Sequence, residues 1–140
     1  MQRRLLVTSI TLGLFGGAAT TVLAESTPLE KQLKELESFQ VIAHRGASGH
    51  APESTMAAYE LAHEWDVDYL ELDAQITSDG EVVVFHDDTI DRTSDGEGEI
   101  NDYTLEELKA LDTGTWFNEE NPDSADPAFE GAQILTLDEL

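Results

Sequence analysis

The run Tyr69-Leu70-Glu71-Leu72-Asp73-Ala74-Gln75-Ile76 alternates between polar and apolar side chains, and no other stretch constrains the fold so tightly. Strand side chains repeat with a period of two, so Glu71 and Asp73 are predicted to share one face and Leu70 and Leu72 the other. Thr77-Ser78-Asp79-Gly80 carries an Asp-Gly turn signal, and Glu81-Val82-Val83-Val84-Phe85-His86 reads as a second strand. Together they predict a hairpin. A two-residue loop centred on Asp79 and Gly80 puts His86 opposite Asp73, about 5 Å away, on the face that carries Glu71. A loop of odd length slips the register by one and removes that pairing.

Upstream, Gln40-Val41-Ile42-Ala43 is a short apolar strand ending at His44, and Gly46 to Pro52 is loop. A helix is predicted from Ser54 or Thr55 to about Trp65, burying Met56, Tyr59 and Ala62. Strand, helix and strand in succession define an α/β chain. Downstream, Asp91 to Gly98 is a polar loop. Thr104-Leu105-Glu106-Glu107 has capping-box spacing, with Leu105, Leu108 and Leu111 facing inward. Asn118 to Pro127 is predicted irregular. After Gln133-Ile134-Leu135, Thr136 and Glu139 repeat the capping-box spacing, and Leu137 and Leu140 begin an apolar face. A helix start is written there without its helix, so the chain is expected to be cut from something longer.

The 140 residues suffice for one modest domain. Residues 1–24 read as a secretory signal: Arg3 and Arg4 give a basic start, Leu5 to Ala19 an apolar stretch, and Val22-Leu23-Ala24 a small-residue cleavage site. The expected product is exported, periplasmic or secreted, with no stable membrane span after cleavage. Residues 25–39 read as a short amphipathic leader helix. Thr27 is its cap, Pro28 its first residue, and Leu29, Leu33 and Leu36 form its apolar side. Thirty acidic against seven basic side chains give a formal charge of -23, which argues against a nucleic-acid partner. With no cysteine, any metal must be held by oxygen or imidazole.

Several residues carry chemistry. His44-Arg45-Gly46, at a strand end, brings together a proton-transfer group, a cation shaped for phosphate oxygens and a residue that lets backbone approach a ligand. Glu71 and Asp73 offer the hard oxygens that calcium or magnesium prefers. His86 is followed by Asp87 and Asp88, either of which can accept its second ring proton. His63 reads as surface; His50 lies in a loop close to the others. Taken singly, each motif is as well explained by solvated polar side chains. Their convergence near neighbouring strand ends favours a site.

The runs H-R-G-A-S-G-H-A-P-E-S-T and Y-L-E-L-D-A-Q-I-T-S-D-G-E-V-V-V-F-H-D-D-T-I-D-R-T-S-D-G-E-G resemble the N-terminal signature of glycerophosphodiester phosphodiesterases. The similarity continues through Tyr103 to Leu108 and Ile134 to Leu137, roughly residues 40–140. It implies the N-terminal portion of a (β/α)₈ TIM-type barrel with a small insertion after the second strand. Such barrels take about 250 residues, so this one would be incomplete. It further implies that His44 and His86 are the acid and base, in either order, and that Arg45 holds the substrate phosphate. Glu71 and Asp73 would ligate a divalent metal, Ca2+ or Mg2+, and Glu53 matches a further family carboxylate near it. Ser54 stands where the family usually has Asn.

The implied reaction is hydrolysis of a small-molecule glycerophosphodiester to glycerol 3-phosphate and an alcohol. Water or the substrate's own glycerol hydroxyl can be the attacking group. Two alternatives share the motif: a truncated, non-catalytic acidic or calcium-binding protein, and a related barrel phospholipase D. In the family a further Glu completes the metal site, beyond the matched stretch. The 140-residue chain alone is therefore expected to lack appreciable activity.

Overall fold

The computed structural model describes Thr27, Leu29, Gln32 and residues 39–140. The chain divides into two units, Met1–Glu37 and Ser38–Leu140. Within the first, Leu29 and Gln32 are helical and exposed; the expected signal segment and the rest of the leader helix lie outside the described residues.

The second unit opens with a β-α-β crossover. Strand β1, Ile42–His44, pairs in parallel with β2, Tyr69–Glu71, in the register Ile42 to Tyr69 and His44 to Glu71. Helix α1, Met56–Glu64, connects them. Its cap is Thr55, whose hydroxyl accepts from the Ala58 N–H, satisfying one of the first-turn donors. Ser54 does not cap; it stands one residue earlier at φ 59. As the spacing predicts, α1 buries Tyr59 and Ala62, together with Ala58, but Met56, also expected inside, is only partly buried. Val41, Ile42, Tyr69 and Leu70 remain exposed around the two-stranded sheet.

The alternating run does not form one strand. It pairs with β1 from Tyr69 as far as Glu71, and from β3, Ala74–Ile76, onward it belongs to a second sheet with β4, Val82–Val84. Leu72, at the changeover, packs with Met56 against Tyr59, Val84 and Leu135. This cluster ties α1 to the second sheet.

The hairpin has the odd loop. Ala74 pairs with Val84, Gln75 with Val83 and Ile76 with Val82. The Phe85 N–H then reaches Asp73 O at 3.0 Å, so Phe85 stands where His86 was predicted. Thr77 N–H bonds Glu81 O, and Gly80, at φ 90, closes the turn by donating to Thr77 O, each at 3.0 Å.

Strand β5, Leu135–Thr136, adds antiparallel to β4, which leaves Val83 and Val84 fully buried in the centre. Helix α2, Leu105–Lys109, has the predicted capping box between Thr104 and Glu107. Leu108 joins Val83, Phe85, Ile90, Ile100 and Ile134 in the main core, with Leu105 and Leu111 packed against it. Helix α3, Thr115–Glu120, takes up part of the segment predicted irregular. Phe117 explains it: buried, it stacks edge-on against Phe129 at 5.7 Å. Thr136 and Glu139 also form their capping box, around a single 3-10 turn, Leu137–Glu139.

Candidate active site

The site is organised around Arg45, which β1 delivers at its C-terminal end. The backbone leaves the strand in the left-handed region, with Arg45 at φ 56 and Gly46 at φ 79. For a residue with a Cβ this conformation costs about 1–2 kcal/mol. Ser54, also left-handed, donates its N–H to Arg45 O at 3.1 Å and so holds the turn from the far side of the loop.

Three carboxylates converge on Arg45. Its backbone N–H donates to Glu71 Oε2 at 3.0 Å, and its Nη1 donates to Glu53 Oε1 at 2.9 Å. Its Nε lies 3.5 Å from Asp73 Oδ2 without making a hydrogen bond. The strand break between Glu71 and Asp73 thus leaves both acids at the same cation. His44 Nε2 stands 4.0 Å from Glu71 Oε2, with its side chain 65% exposed and open to a reactant.

His86 does not face Asp73 across the hairpin, because of the odd turn. Its ring is held instead by its neighbour: Nδ1 meets Asp87 Oδ1 at 2.5 Å. Of the two acids that could accept a hydrogen bond from this ring, Asp87 does so. The bonds from Arg92, and secondarily that from His86, hold the Asp87 carboxyl down at about 2 against its burial. An ionised carboxylate only accepts, so the contact puts a proton on Nδ1 and leaves Nε2 outside it. His50 stacks edge-on with Trp65 at 4.9 Å, and His63 is exposed on α1.

Arg92 is the residue that the sequence did not single out. It donates to Asp87 through Nε at 2.6 Å and Nη2 at 3.1 Å, and to Glu53 through Nη1 at 3.0 Å and Nη2 at 2.7 Å. One signal pointed to it. Between residues 39 and 140 the only basic side chains are Arg45, Arg92 and Lys109, amid a large excess of acids. Burial by itself pushes the Glu53 carboxyl up, but the bonds from Arg92 and Arg45 outweigh it and leave the group below its ordinary range.

Tyr59, only 2% exposed, lies within electrostatic reach of the same carboxylates. Burial, aided by the charges of Glu71, Asp73 and Glu53, pushes its phenol up to about 12, while a loose contact with Ser54 acts the other way.

Asp73 Oδ2 is buried with no hydrogen-bond partner, an uncommon and costly state for a carboxylate oxygen. An oxygen of that kind, beside the half-exposed Glu71, fits a hard divalent cation by chemical type. The number falls short: among the described residues no group of three or more His, Asp or Glu is arranged to hold a metal ion. Both oxygens of Glu53 are engaged by guanidinium groups.

His44, the Arg45 guanidinium and three carboxylates gather around the end of a parallel strand, and His86 is tied to them through Asp87, Arg92 and Glu53. The glycerophosphoryl diester phosphodiesterase family model matches residues 44–140, and the chain belongs to that family. It is 42% identical over 131 residues to a glycerophosphodiester phosphodiesterase of Bacillus subtilis, covering 94% of this chain and 44% of that protein. It spans, therefore, less than half the length of that relative.

A solved glycerophosphodiester phosphodiesterase from Agrobacterium tumefaciens superposes with a TM-score of 0.63 at 40% identity, over 71% of this chain and 40% of the other. A phosphodiesterase from Oleispira antarctica, solved with the product sn-glycerol-3-phosphate, gives 0.62 at 43% identity, over 71% and 37%. The α/β class expected from the sequence stands, within the TIM-barrel family of these structures.

Proposed function

We propose that the whole protein hydrolyses glycerophosphodiesters to sn-glycerol 3-phosphate and an alcohol, with a divalent cation, Ca2+ or Mg2+, held by Glu71 and Asp73. The observation that carries this reading is Arg45 at the end of β1, flanked by exposed His44 and set among Glu53, Glu71 and Asp73. The Oleispira relative, which holds a glycerol phosphate, supports the substrate class.

In this reading the Arg45 fork binds phosphate oxygens and offsets the charge that grows on them. One histidine takes the proton of the attacking oxygen as the new P–O bond forms. The other protonates the alkoxide as the old P–O bond breaks. Asp87 keeps the His86 Nδ1 protonated, so His86 works through Nε2. Glu71 and Asp73 would hold a divalent cation, which would supply Lewis-acid stabilisation of negative charge.

The reading extends to architecture and location. β1, α1 and β2 are taken as the opening unit of a (β/α)₈ barrel, and the antiparallel segment from β3 to β5 as largely the insertion after its second strand. The exposed Val41, Ile42, Tyr69 and Leu70 are the side chains that further barrel units would cover. Export follows from residues 1–24, with cleavage after Ala24. Among the described residues no helix is long and apolar enough to cross a membrane.

The test is release of glycerol 3-phosphate from glycerophosphocholine and glycerophosphoethanolamine by the full-length protein, with and without a chelator. Metal-dependent release is expected. No release from either substrate, with calcium or magnesium supplied, would overturn the reading. Mass spectrometry of secreted material should show Glu25 as its first residue; recovery of Met1 in the exported fraction would overturn the cleavage assignment.

A further inference from the structure

Arg92 joins two parts of the site that are far apart in sequence. On one side its guanidinium holds both oxygens of Asp87, and Asp87 Oδ1 holds the His86 ring. On the other it holds both oxygens of Glu53, and Glu53 Oε1 holds the Arg45 guanidinium. The result is one continuous chain of charged hydrogen bonds: His86, Asp87, Arg92, Glu53, Arg45.

We propose that Arg92 is a positioning residue: by clamping Asp87 and Glu53 together, it sets the tautomer and ring orientation of His86 and the guanidinium orientation of Arg45. This rests on the proposed phosphodiesterase reading only where turnover is concerned.

The argument is one of geometry and rigidity. Asp87 adjoins His86 in sequence, and the contact between neighbouring side chains survives only while the Asp87 carboxylate is held in one rotamer. Arg92 holds it from two donors, which fixes the plane of the carboxylate as well as its position. Glu53 receives three donated bonds from two cations and is only 13% exposed, so it has little freedom to follow Arg45 if Arg45 moves. Arg92 itself is 45% exposed, and its bonds go to Asp87 and Glu53. Its role is to act through them. A lysine could not replace it, since an ammonium is a point charge without the planar fork needed to hold two carboxylates in plane at once.

The test reads the His86 ring directly. Full-length protein with ¹⁵N-labelled histidine is compared with Arg92→Gln and Arg92→Lys by long-range ¹H–¹⁵N correlation at neutral pH, with His63 as an internal control. In the parent protein the neutral form of the His86 ring is expected as the Nδ1–H tautomer. Both variants should lose that form in favour of a mixture, Arg92→Lys less completely, while His63 stays unchanged. In parallel, both should lower kcat on glycerophosphocholine by roughly tenfold or more and raise KM, since both proton transfer and phosphate binding are loosened.

A His86 ring that keeps the Nδ1–H form in both variants would overturn the proposal, whatever the kinetics. Arg92→Lys, which retains the charge, keeps the comparison available if Arg92→Gln fails to fold. A parent protein inactive on every glycerophosphodiester would instead remove the functional reading and leave the ring measurement intact.

Discussion

Arg92 and Glu53 meet fork to fork across 39 residues of sequence, with Nη1 to Oε2 at 3.0 Å and Nη2 to Oε1 at 2.7 Å. The pair fastens the loop after β4 to the turn that precedes α1, and it does so beside the Arg45 guanidinium. Half-exposed ion pairs add little to stability. Its consequence lies in orientation, because Glu53 and Asp87 each pass the constraint on to a side chain at the site.

His44→Ala and His86→Ala are each expected to lower turnover of the full-length protein by about 10²-fold or more, the usual scale for general acid-base groups. Both side chains are substantially exposed, so unfolding midpoints should barely move. Glycerol 3-phosphate release and thermal melts check the two halves together. Activity intact in His86→Ala, with activity lost in His44→Ala, would exclude a two-histidine mechanism.

Glu71→Gln and Asp73→Asn should weaken binding of calcium or magnesium, measured by titration calorimetry on the full-length protein. The expected order is Asp73→Asn at least as damaging as Glu71→Gln. Asp73 Oδ2 has no hydrogen bond to fall back on, whereas Glu71 already accepts the Arg45 N–H.

The Asp87 contacts give a pH dependence of definite sign. Its carboxyl is held down at about 2 from an ordinary 3.8, first by the hydrogen bonds from Arg92 and then by that from His86. A group depressed in the folded state stabilises fully above its unfolded value and loses that contribution as pH falls through the folded one. The stability advantage of the parent protein over Asp87→Asn should thus be complete above about pH 5 and fade as the pH falls through about 2. Urea unfolding at a series of pH values checks it; an advantage that persists unchanged at pH 2 would contradict the assignment.

Two left-handed positions near the site should respond in opposite directions. A Cβ on Gly46, at φ 79, would lie 2.7 Å from backbone carbon of Ala58, so Gly46→Ala is expected to cost on the order of 2 kcal/mol or more. Ser54, at φ 59, has a buried Oγ without a hydrogen-bond partner. Ser54→Gly relieves the backbone and removes that oxygen, and should stabilise by about 1 kcal/mol. Chemical denaturation midpoints of both variants decide it.

What could be read from the sequence was what neighbours decide. The capping boxes at Thr104 and Thr136 each close between residues three apart, so the local letters suffice to place them. The helix from Thr55 and the burial of Tyr59 follow from spacing on a single element. The candidate residues His44, Arg45, Glu71, Asp73 and His86 were named by motif, and three of them, Arg45, Glu71 and Asp73, stand together in the structure, with His44 beside Glu71.

Tertiary structure decided the hairpin register and the partner of His86. The Asp-Gly signal between β3 and β4 permits a two-residue or a three-residue loop, and the three-residue loop that forms carries a bond to a residue outside the hairpin. Asp79 Oδ1 accepts from Thr77 Oγ1 at 2.5 Å and from the Leu105 N–H, at the start of α2, at 3.1 Å. Committing Asp79 to that helix accompanies the odd turn, which moves Phe85 opposite Asp73 and sends Phe85 into the core. Arg92 was equally out of reach of local pattern, since its partner Glu53 lies 39 residues away. A sequence specifies which groups a chain carries and the contacts that lie within a turn of one another. Which distant carboxylate a cation meets depends on loops closing at a shared entropic cost, and only the assembled core fixes their ends.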